Sequence, residues 1–148
     1  MGLSDDLGPG PTALDTAIFI YYIEENETFL PLVATIFEDV ARGRREVVTS
    51  SLTLLEVLVV PLRAGNLALA DRYEAALSRS RGVRLLGITS AQLRMAVHLR
   101  ALHSSVRTPD ALQLAAALSA GCRSFVTNDR DLPEIPGLDV VQLRSYVS

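Results

Sequence analysis

The chain has 148 residues, is 49% apolar with few aromatic side chains, and carries a formal net charge of −3, which indicates one globular domain with a substantial core. All 14 basic residues are arginine, which excludes mechanisms that need a phosphate-binding or Schiff-base lysine. The acidic balance argues against binding of nucleic acid by bulk charge, although a local arginine patch can still contact phosphates. The single cysteine excludes an internal disulfide and a thiolate metal cluster.

The first eleven residues are acidic and rich in glycine and proline, where a signal peptide would have basic and then apolar residues. They are typical of a flexible N-terminal tail, which leaves residues 12–148 as a single folded domain. The most apolar stretch, residues 52–62, is too short to cross a bilayer and contains Glu56 and Pro61. We therefore expect a soluble, cytoplasmic protein that does not bind membranes.

The hydrophobic pattern predicts strands that alternate with helices. The predicted strands are residues 12–15, 46–49, 83–88, 124–127 and 138–142. The predicted helices are residues 18–25, 28–42, 50 or 51 to about 63, 67–78, 91–102 and 111–120. Before the last helix, Thr108 supplies a capping hydroxyl, Pro109 suits the first helical position and Asp110 places an acid in the first turn. Strands joined by helical crossovers predict an α/β domain whose mostly parallel sheet of about five strands is covered on both faces.

Four carboxylates stand at the ends of these apolar segments or inside one of them. Asp15 closes the first strand, Asp129 follows the fourth strand, Asp110 opens a helix, and Glu56 lies within a helix among leucines and valines. In an open parallel sheet, functional groups gather beyond the carboxyl ends of the strands. Converging acids would repel one another, and a hard divalent cation with oxygen ligands would relieve that repulsion. The pattern therefore predicts a shared site for Mg²⁺ or Mn²⁺.

Each acid taken alone also has an ordinary structural explanation. Asp15 suits a strand-end turn, Asp129 suits an Asx turn, and Asp110 complements a helix dipole, a stabilisation of roughly 0.3–1 kcal/mol. A salt bridge to an arginine would account for Glu56. Four acids at four separate elements favour a common site over four unrelated explanations, although the convergence of Asp110 depends on the path of a loop.

In its motifs the chain resembles PIN domains, and among them the VapC-type toxins of bacterial and archaeal toxin–antitoxin pairs. The matching segments occur in the family's order and approximate spacing: LDT at 14–16, SSLTLLE at 50–56, RTPDAL at 107–112, FVTNDRDL at 125–132 and IPGL at 135–138. Leu132 stands where the family more often has phenylalanine. The resemblance implies the three-layer α/β/α PIN fold.

The same resemblance implies a metal-dependent ribonuclease. Asp15, Asp110 and Asp129 would hold Mg²⁺ or Mn²⁺ directly, Glu56 would complete or orient the site, and the hydroxyl of Thr127 would support the last acid. Four carboxylates are compatible with one metal ion or with a pair. The products expected from the family carry a 5′-phosphate and a 3′-hydroxyl.

The resemblance also implies partners. A small VapB-like antitoxin would place a helix in an apolar groove, for which residues 18–23 and 52–60 are the candidates, and the toxin itself would be a homodimer. Arg107 and Arg130 flank two of the acids and are candidate RNA contacts, with salt bridges to Asp131 or Glu134 as the alternative.

Other functions fit the same sequence. A PIN nuclease that processes RNA outside a toxin–antitoxin pair would have the same site, and a catalytically silent PIN binding module would retain the fold. A phosphohydrolase of the aspartyl-phosphate type, with Asp15 as nucleophile, would need a second Asp two residues later and a phosphate-binding lysine. The chain has neither of these groups.

Overall fold

A five-stranded, fully parallel sheet forms the centre of the computed structural model, which describes residues 2–148. The strands are β1 (Thr12–Leu14), β2 (Val47–Ser50), β3 (Val83–Leu86), β4 (Ser124–Thr127) and β5 (Asp139–Gln142). Their order across the sheet is β3-β2-β1-β4-β5, so the first strand of the chain is the central one. The predicted α/β fold class is confirmed, and the strands lie where the sequence places them to within two residues.

Within the described residues, seven helices surround the sheet. They are α1 (Leu3–Leu7), α2 (Thr16–Ile23), α3 (Leu30–Ala41), α4 (Leu52–Arg63), α5 (Leu67–Ser78), α6 (Ser90–Leu102) and α7 (Thr108–Ser119), and a 3₁₀ turn at Leu143–Tyr146 follows β5. None of the helices within residues 2–148 is long and apolar enough to cross a membrane.

Side chains that alternate along the strands divide the core into two layers. Leu14 and Val126 point into the cluster formed with α1 to α5, whereas Ala13 and Phe125 point into the cluster formed with α6 and α7. The three central strands, β2, β1 and β4, are buried on both faces, so their sequences lack the apolar–polar alternation of a half-exposed strand, as expected for a parallel sheet.

Several predicted helix starts differ from the structure by one to three residues, and the starts of α2 and α7 bear on the site. The second helix begins at Thr16, two residues early, because Asp15 caps it by accepting a hydrogen bond from the Thr16 amide. Thr108 was expected to cap the last long helix but lies inside α7, where its hydroxyl accepts a hydrogen bond from Arg100. Arg107 occupies the cap position there without a side-chain cap.

The expectation of a flexible tail differs from the structure for residues 3–7, which form α1 against α3. Leu3 and Leu7 are buried in the core. The guanidinium of Arg45 donates to the carbonyls of Ser4 and Gly8 at 3.1 Å each and to the Thr12 hydroxyl at 2.7 Å. The pattern of small and acidic residues hid this helix because its anchoring arginine lies more than thirty positions away.

Candidate active site beyond the carboxyl ends of the strands

Asp15 lies where the central strand ends and α2 begins. Its backbone N–H donates to the carbonyl of Val126 at 3.0 Å, which extends the pairing of β1 with β4 by one residue. Its carboxylate is half-buried: Oδ1 accepts from the Thr16 amide at 2.8 Å, and Oδ2 accepts from the Thr127 hydroxyl at 2.7 Å. Both oxygens are thus oriented, yet each retains a lone pair for another ligand.

Thr127 joins two of the acids through one hydroxyl group. The residue is fully buried at the end of β4. While its proton is donated to Asp15, its Oγ1 accepts from the backbone N–H of Asp129 at 3.0 Å. The structure therefore places Thr127 beside the acids, as the sequence indicated, and shows that it contacts the first acid as well as the last.

Asp129 belongs to a short loop after β4 that is held from two sides. Its Oδ1 accepts from the backbone N–H of Asp131 at 2.9 Å, which is the Asx turn that the sequence offered as an alternative. Its carbonyl accepts from the side-chain amide of Gln142 in β5 at 2.8 Å. The Asx turn and a functional role are compatible, because the second carboxylate oxygen is not used by the turn.

Asp110 lies in the first turn of α7 and shares a cavity of about 320 Å³ with Asp129. Arg107 and Asp131 also line this cavity, together with Ser105 and Pro109. The loop before α7 therefore brings Asp110 to the edge of the sheet at which β4 ends, which the sequence left open.

Glu56 lies on α4 and is exposed, although its neighbours in sequence are leucines and a valine. Its neighbour Leu55 is also exposed, at 62%, because this side of α4 faces solvent. Oε1 of Glu56 accepts from the Thr16 hydroxyl at 2.7 Å. Within residues 2–148 no arginine forms a salt bridge with Glu56, so the explanation by ion pairing finds no support.

The four acids lie within electrostatic reach of one another. Burial raises the pKa of Asp15, the hydrogen bonds from Thr127 and Thr16 lower it, and the charges of Asp110 and Glu56 raise it further, with a net increase. Burial and the charge of Asp129 raise the pKa of Asp110, whereas Arg107 lowers it. Like charges are therefore held together at a net electrostatic cost.

The donor set suits a hard divalent cation, since it consists of carboxylate oxygens whose repulsion a cation would relieve. No three His, Cys, Asp or Glu side chains in the described part of the chain already surround a common point closely enough to hold an ion. Hydroxyl groups and backbone amides orient the carboxylates of Asp15, Glu56 and Asp129. Binding of an ion would require the acids to close around it.

The two candidate RNA contacts differ in position. Arg107 lines the cavity of Asp110 and Asp129, whereas Arg130 is exposed and lines a separate cavity of about 520 Å³ together with Glu134. Across residues 2–148 neither arginine forms a salt bridge. The structure thus brings Arg107, but not Arg130, to the acids.

A buried polar cluster beneath the acids was not singled out in the sequence. It consists of Gln113 on α7 and the hydroxyl groups of Thr16, Thr49 and Thr53. All four residues are less than 10% exposed. The only sequence signal is one amide side chain within the otherwise apolar segment LQLAAAL of α7, and this signal did not show which residues it would contact.

Comparison with known proteins gives one family. The PIN domain model matches residues 12–138. No curated protein sequence matches significantly. Among solved structures, the VapBC2 complex of Rickettsia felis, bound to a promoter DNA fragment, superposes with a TM-score of 0.67 at 17% identity, covering 89% of this chain and 98% of that chain. A Klebsiella pneumoniae toxin–antitoxin complex gives a TM-score of 0.66 at 23% identity, covering 89% and 97%. The VapC20 toxin of Mycobacterium tuberculosis, described as cleaving the sarcin–ricin loop, gives 0.63 at 18% identity, covering 77% and 86%.

Proposed function

Because the chain belongs to the PIN domain family, we propose that it is an endoribonuclease that hydrolyses RNA phosphodiester bonds with Mg²⁺ or Mn²⁺. The observation that carries the proposal is the placement of four acids beyond the carboxyl ends of β1 and β4: the Thr127 hydroxyl joins Asp15 to the Asp129 backbone, and Asp129 shares a cavity with Asp110. Glu56 is held beside them by the Thr16 hydroxyl. An acidic site of this kind is costly to keep unless it binds a cation. The similarity to an RNA-cleaving toxin supports RNA as the substrate class.

Asp15, Asp110 and Asp129 would hold the ion, and Glu56 would complete the site. When bound, the ion supplies charge neutralisation at the phosphate and an activated water. The chain itself orients the carboxylates: Thr127 fixes Asp15 and, through a backbone amide, the Asp129 loop. Arg107 lines the same cavity and carries a permanent positive charge, so we assign it to a phosphate oxygen of the RNA.

Cleavage of total RNA tests this function. The purified protein and the variant Asp15→Asn are each incubated with EDTA, Mg²⁺ or Mn²⁺, and the fragment ends are mapped. We expect metal-dependent fragments with 5′-phosphate ends from the unmodified protein and none from the variant. Asp71→Asn is the matched control, since Asp71 is an exposed acid on α5 whose side chain pairs only with Arg79. Metal binding without cleavage of any RNA would favour the silent binding module.

We propose that the partner is a small antitoxin. The solved neighbours include several toxin–antitoxin complexes. Of the two candidate grooves, α2 contributes mainly to the core, since Ile18 and Phe19 are fully buried. The helix α4 instead exposes Leu55 and Leu62, seven residues apart on one face, beside Glu56. An apolar antitoxin helix along this face would also cover the acids. Co-purification with the product of the adjacent gene tests the pairing, and its absence would favour an RNA-processing nuclease.

We also infer a homodimer. An apolar groove of about 330 Å³ runs between α6 and α7, and its lining residues Leu93 and Val97 on α6 are exposed. Exposed apolar side chains in such a group are typical of an interface. Sedimentation analysis of the protein alone measures the mass, and a monomer at all concentrations would contradict the inference.

A further inference from the structure

The buried side chain of Gln113 connects the sheet to the edge of the acidic site. Gln113 is 3% exposed and lies three residues after Asp110, on the same side of α7. Its Oε1 accepts from the Ser50 backbone N–H at 3.2 Å, and its Nε2 donates to the hydroxyl groups of Thr53 at 2.8 Å and Thr16 at 3.3 Å. An amide this deeply buried is costly unless its groups are hydrogen-bonded, and here both ends are.

The chemistry of the partners fixes which way the amide points. A backbone N–H can only donate, so the oxygen of Gln113 must face Ser50 and its nitrogen must face the hydroxyl groups. The nitrogen can only donate, so the oxygen of Thr16 must accept from it. The single proton of Thr16 then remains for Glu56, which can only accept, at 2.7 Å.

We propose that Gln113 is a positioning residue for the nuclease site: by donating to Thr16 it directs the Thr16 hydroxyl toward Glu56 and so holds that carboxylate at the site. The inference rests on the proposed function for its consequence in cleavage, but the link from Gln113 to Glu56 is a property of the protein alone. Without the amide, the Thr16 hydroxyl is free to turn toward Thr53, which lies 3.1 Å away. The exposed carboxylate of Glu56 then loses the hydrogen bond from Thr16 that restrains it.

The direct test is the carboxyl ¹³C resonance of Glu56 in the metal-free protein at a fixed neutral pH. Thr16→Val removes the hydroxyl and defines the shift that loss of this hydrogen bond produces. Gln113→Met removes the amide and keeps most of its volume, and we expect it to move the resonance in the same direction. Gln92→Met is the control, because Gln92 is another buried glutamine, 5% exposed, on α6 away from the acids.

An unchanged Glu56 resonance in a folded Gln113→Met variant would overturn the proposal. If that variant does not fold, Gln113→Leu removes the same amide with a smaller side chain and is read in the same way. A shift in both glutamine variants, including Gln92→Met, would equally overturn it, since the effect would then be a general response of the core.

The functional consequence is read by Mn²⁺ binding, measured by calorimetry, and by cleavage. We expect Gln113→Met to weaken Mn²⁺ binding about 10- to 100-fold, as is usual for groups that orient a metal ligand. In a Glu56→Gln background the same substitution should change the Mn²⁺ dissociation constant by less than about twofold, because its effect passes through Glu56. Equal losses in the two backgrounds would instead indicate a purely structural role.

These readouts separate the two proposals. A protein that cuts no RNA but shows the Glu56 shift in Gln113→Met contradicts the proposed function and leaves the positioning role standing. A protein that cuts RNA, but whose Glu56 resonance and Mn²⁺ affinity are unaffected by Gln113→Met, contradicts the positioning role alone.

Discussion

The hydroxyl of Thr127 offers the sharpest test of how the site is organised. Thr127→Val replaces the hydroxyl with a methyl group of nearly the same size, so it removes two hydrogen bonds with little change in shape. The bond to the Asp15 carboxylate is of the charge-assisted type, for which the loss is about 1.5–3 kcal/mol, and the bond from the Asp129 amide adds roughly 1 kcal/mol. We expect the free energy of unfolding at neutral pH to fall by about 2–4 kcal/mol.

The effect on function should follow from the freed carboxylate. With Thr127→Val, Asp15 loses the hydrogen bond that lowers its pKa, so its pKa rises further and the acidic limb of the rate–pH profile moves to higher pH. Loss of an orienting group typically costs 10- to 100-fold in metal affinity or activity. Mn²⁺ calorimetry, RNA cleavage across pH and urea denaturation measure the three quantities.

A matched control is available on the same strand. Ser124 is buried at the opposite end of β4, and its hydroxyl contacts Thr12 at 3.2 Å, away from the acids. Ser124→Ala should cost about 1 kcal/mol of stability and leave Mn²⁺ affinity and cleavage unchanged. If Thr127→Val also loses only stability, with Mn²⁺ affinity and the pH profile as in the unmodified protein, the argument that its hydroxyl orients Asp15 is refuted.

Three further predictions follow from burial and charge. Because the pKa of Asp15 is raised in the folded protein, ionisation of this side chain destabilises the folded state. The stability that the protonated form contributes is present in full below the unfolded pKa of 3.8, and it is lost as the pH rises through the folded pKa. In EDTA, Asp15→Asn should therefore be more stable than the unmodified protein at pH 7 and equally stable well below pH 3.8, and a less stable variant at pH 7 in urea denaturation would contradict this sign. Arg45→Met removes three of the hydrogen bonds that hold the N-terminal segment and should cost about 3 kcal/mol, with faster amide exchange in α1. Arg44→Met, at an exposed position, should stay within about 0.5 kcal/mol. Equal effects of the two substitutions would show that Arg45 is not the anchor. Leu62→Ser removes an exposed apolar side chain from α4 and should weaken antitoxin binding about tenfold without changing cleavage. Val97→Ser on α6 should leave antitoxin binding unaltered. The reverse pattern in a binding titration would show that the antitoxin binds α6 instead.

The sequence predicted the parts of the fold that depend on local periodicity. The central strands were predicted because both of their faces are buried, which gives short runs such as the buried residues of β2 and β4. The helices were found by their length and apolar content. The ends of α2 and α7 were less accurate, because the choice of capping residue depends on contacts that a local pattern does not contain.

The sequence also predicted that the four acids lie in one region, because the carboxyl ends of parallel strands lie at the same edge of the sheet. It could not predict the environment of Glu56, because the exposed side of an apolar helix and its buried side look alike in sequence. The contact of Gln113 with Thr16 joins residues 97 positions apart. A single amide in an apolar helix indicates that it has a hydrogen-bond partner, but only the packing of α7 in the folded protein identifies that partner.

The position of β1 in the middle of the sheet affects how the sheet can form while the chain is being synthesised. Its partner β4 and the acid Asp129 are translated more than a hundred residues after β1, and β5, which holds the Asp129 loop through Gln142, follows later still. Until residues 124–129 have been made, the growing chain therefore has one side of β1 unpaired and lacks one of the four acids. Termination before residue 129 consequently yields a chain with an open sheet edge and an incomplete set of acids rather than a smaller domain with the same site.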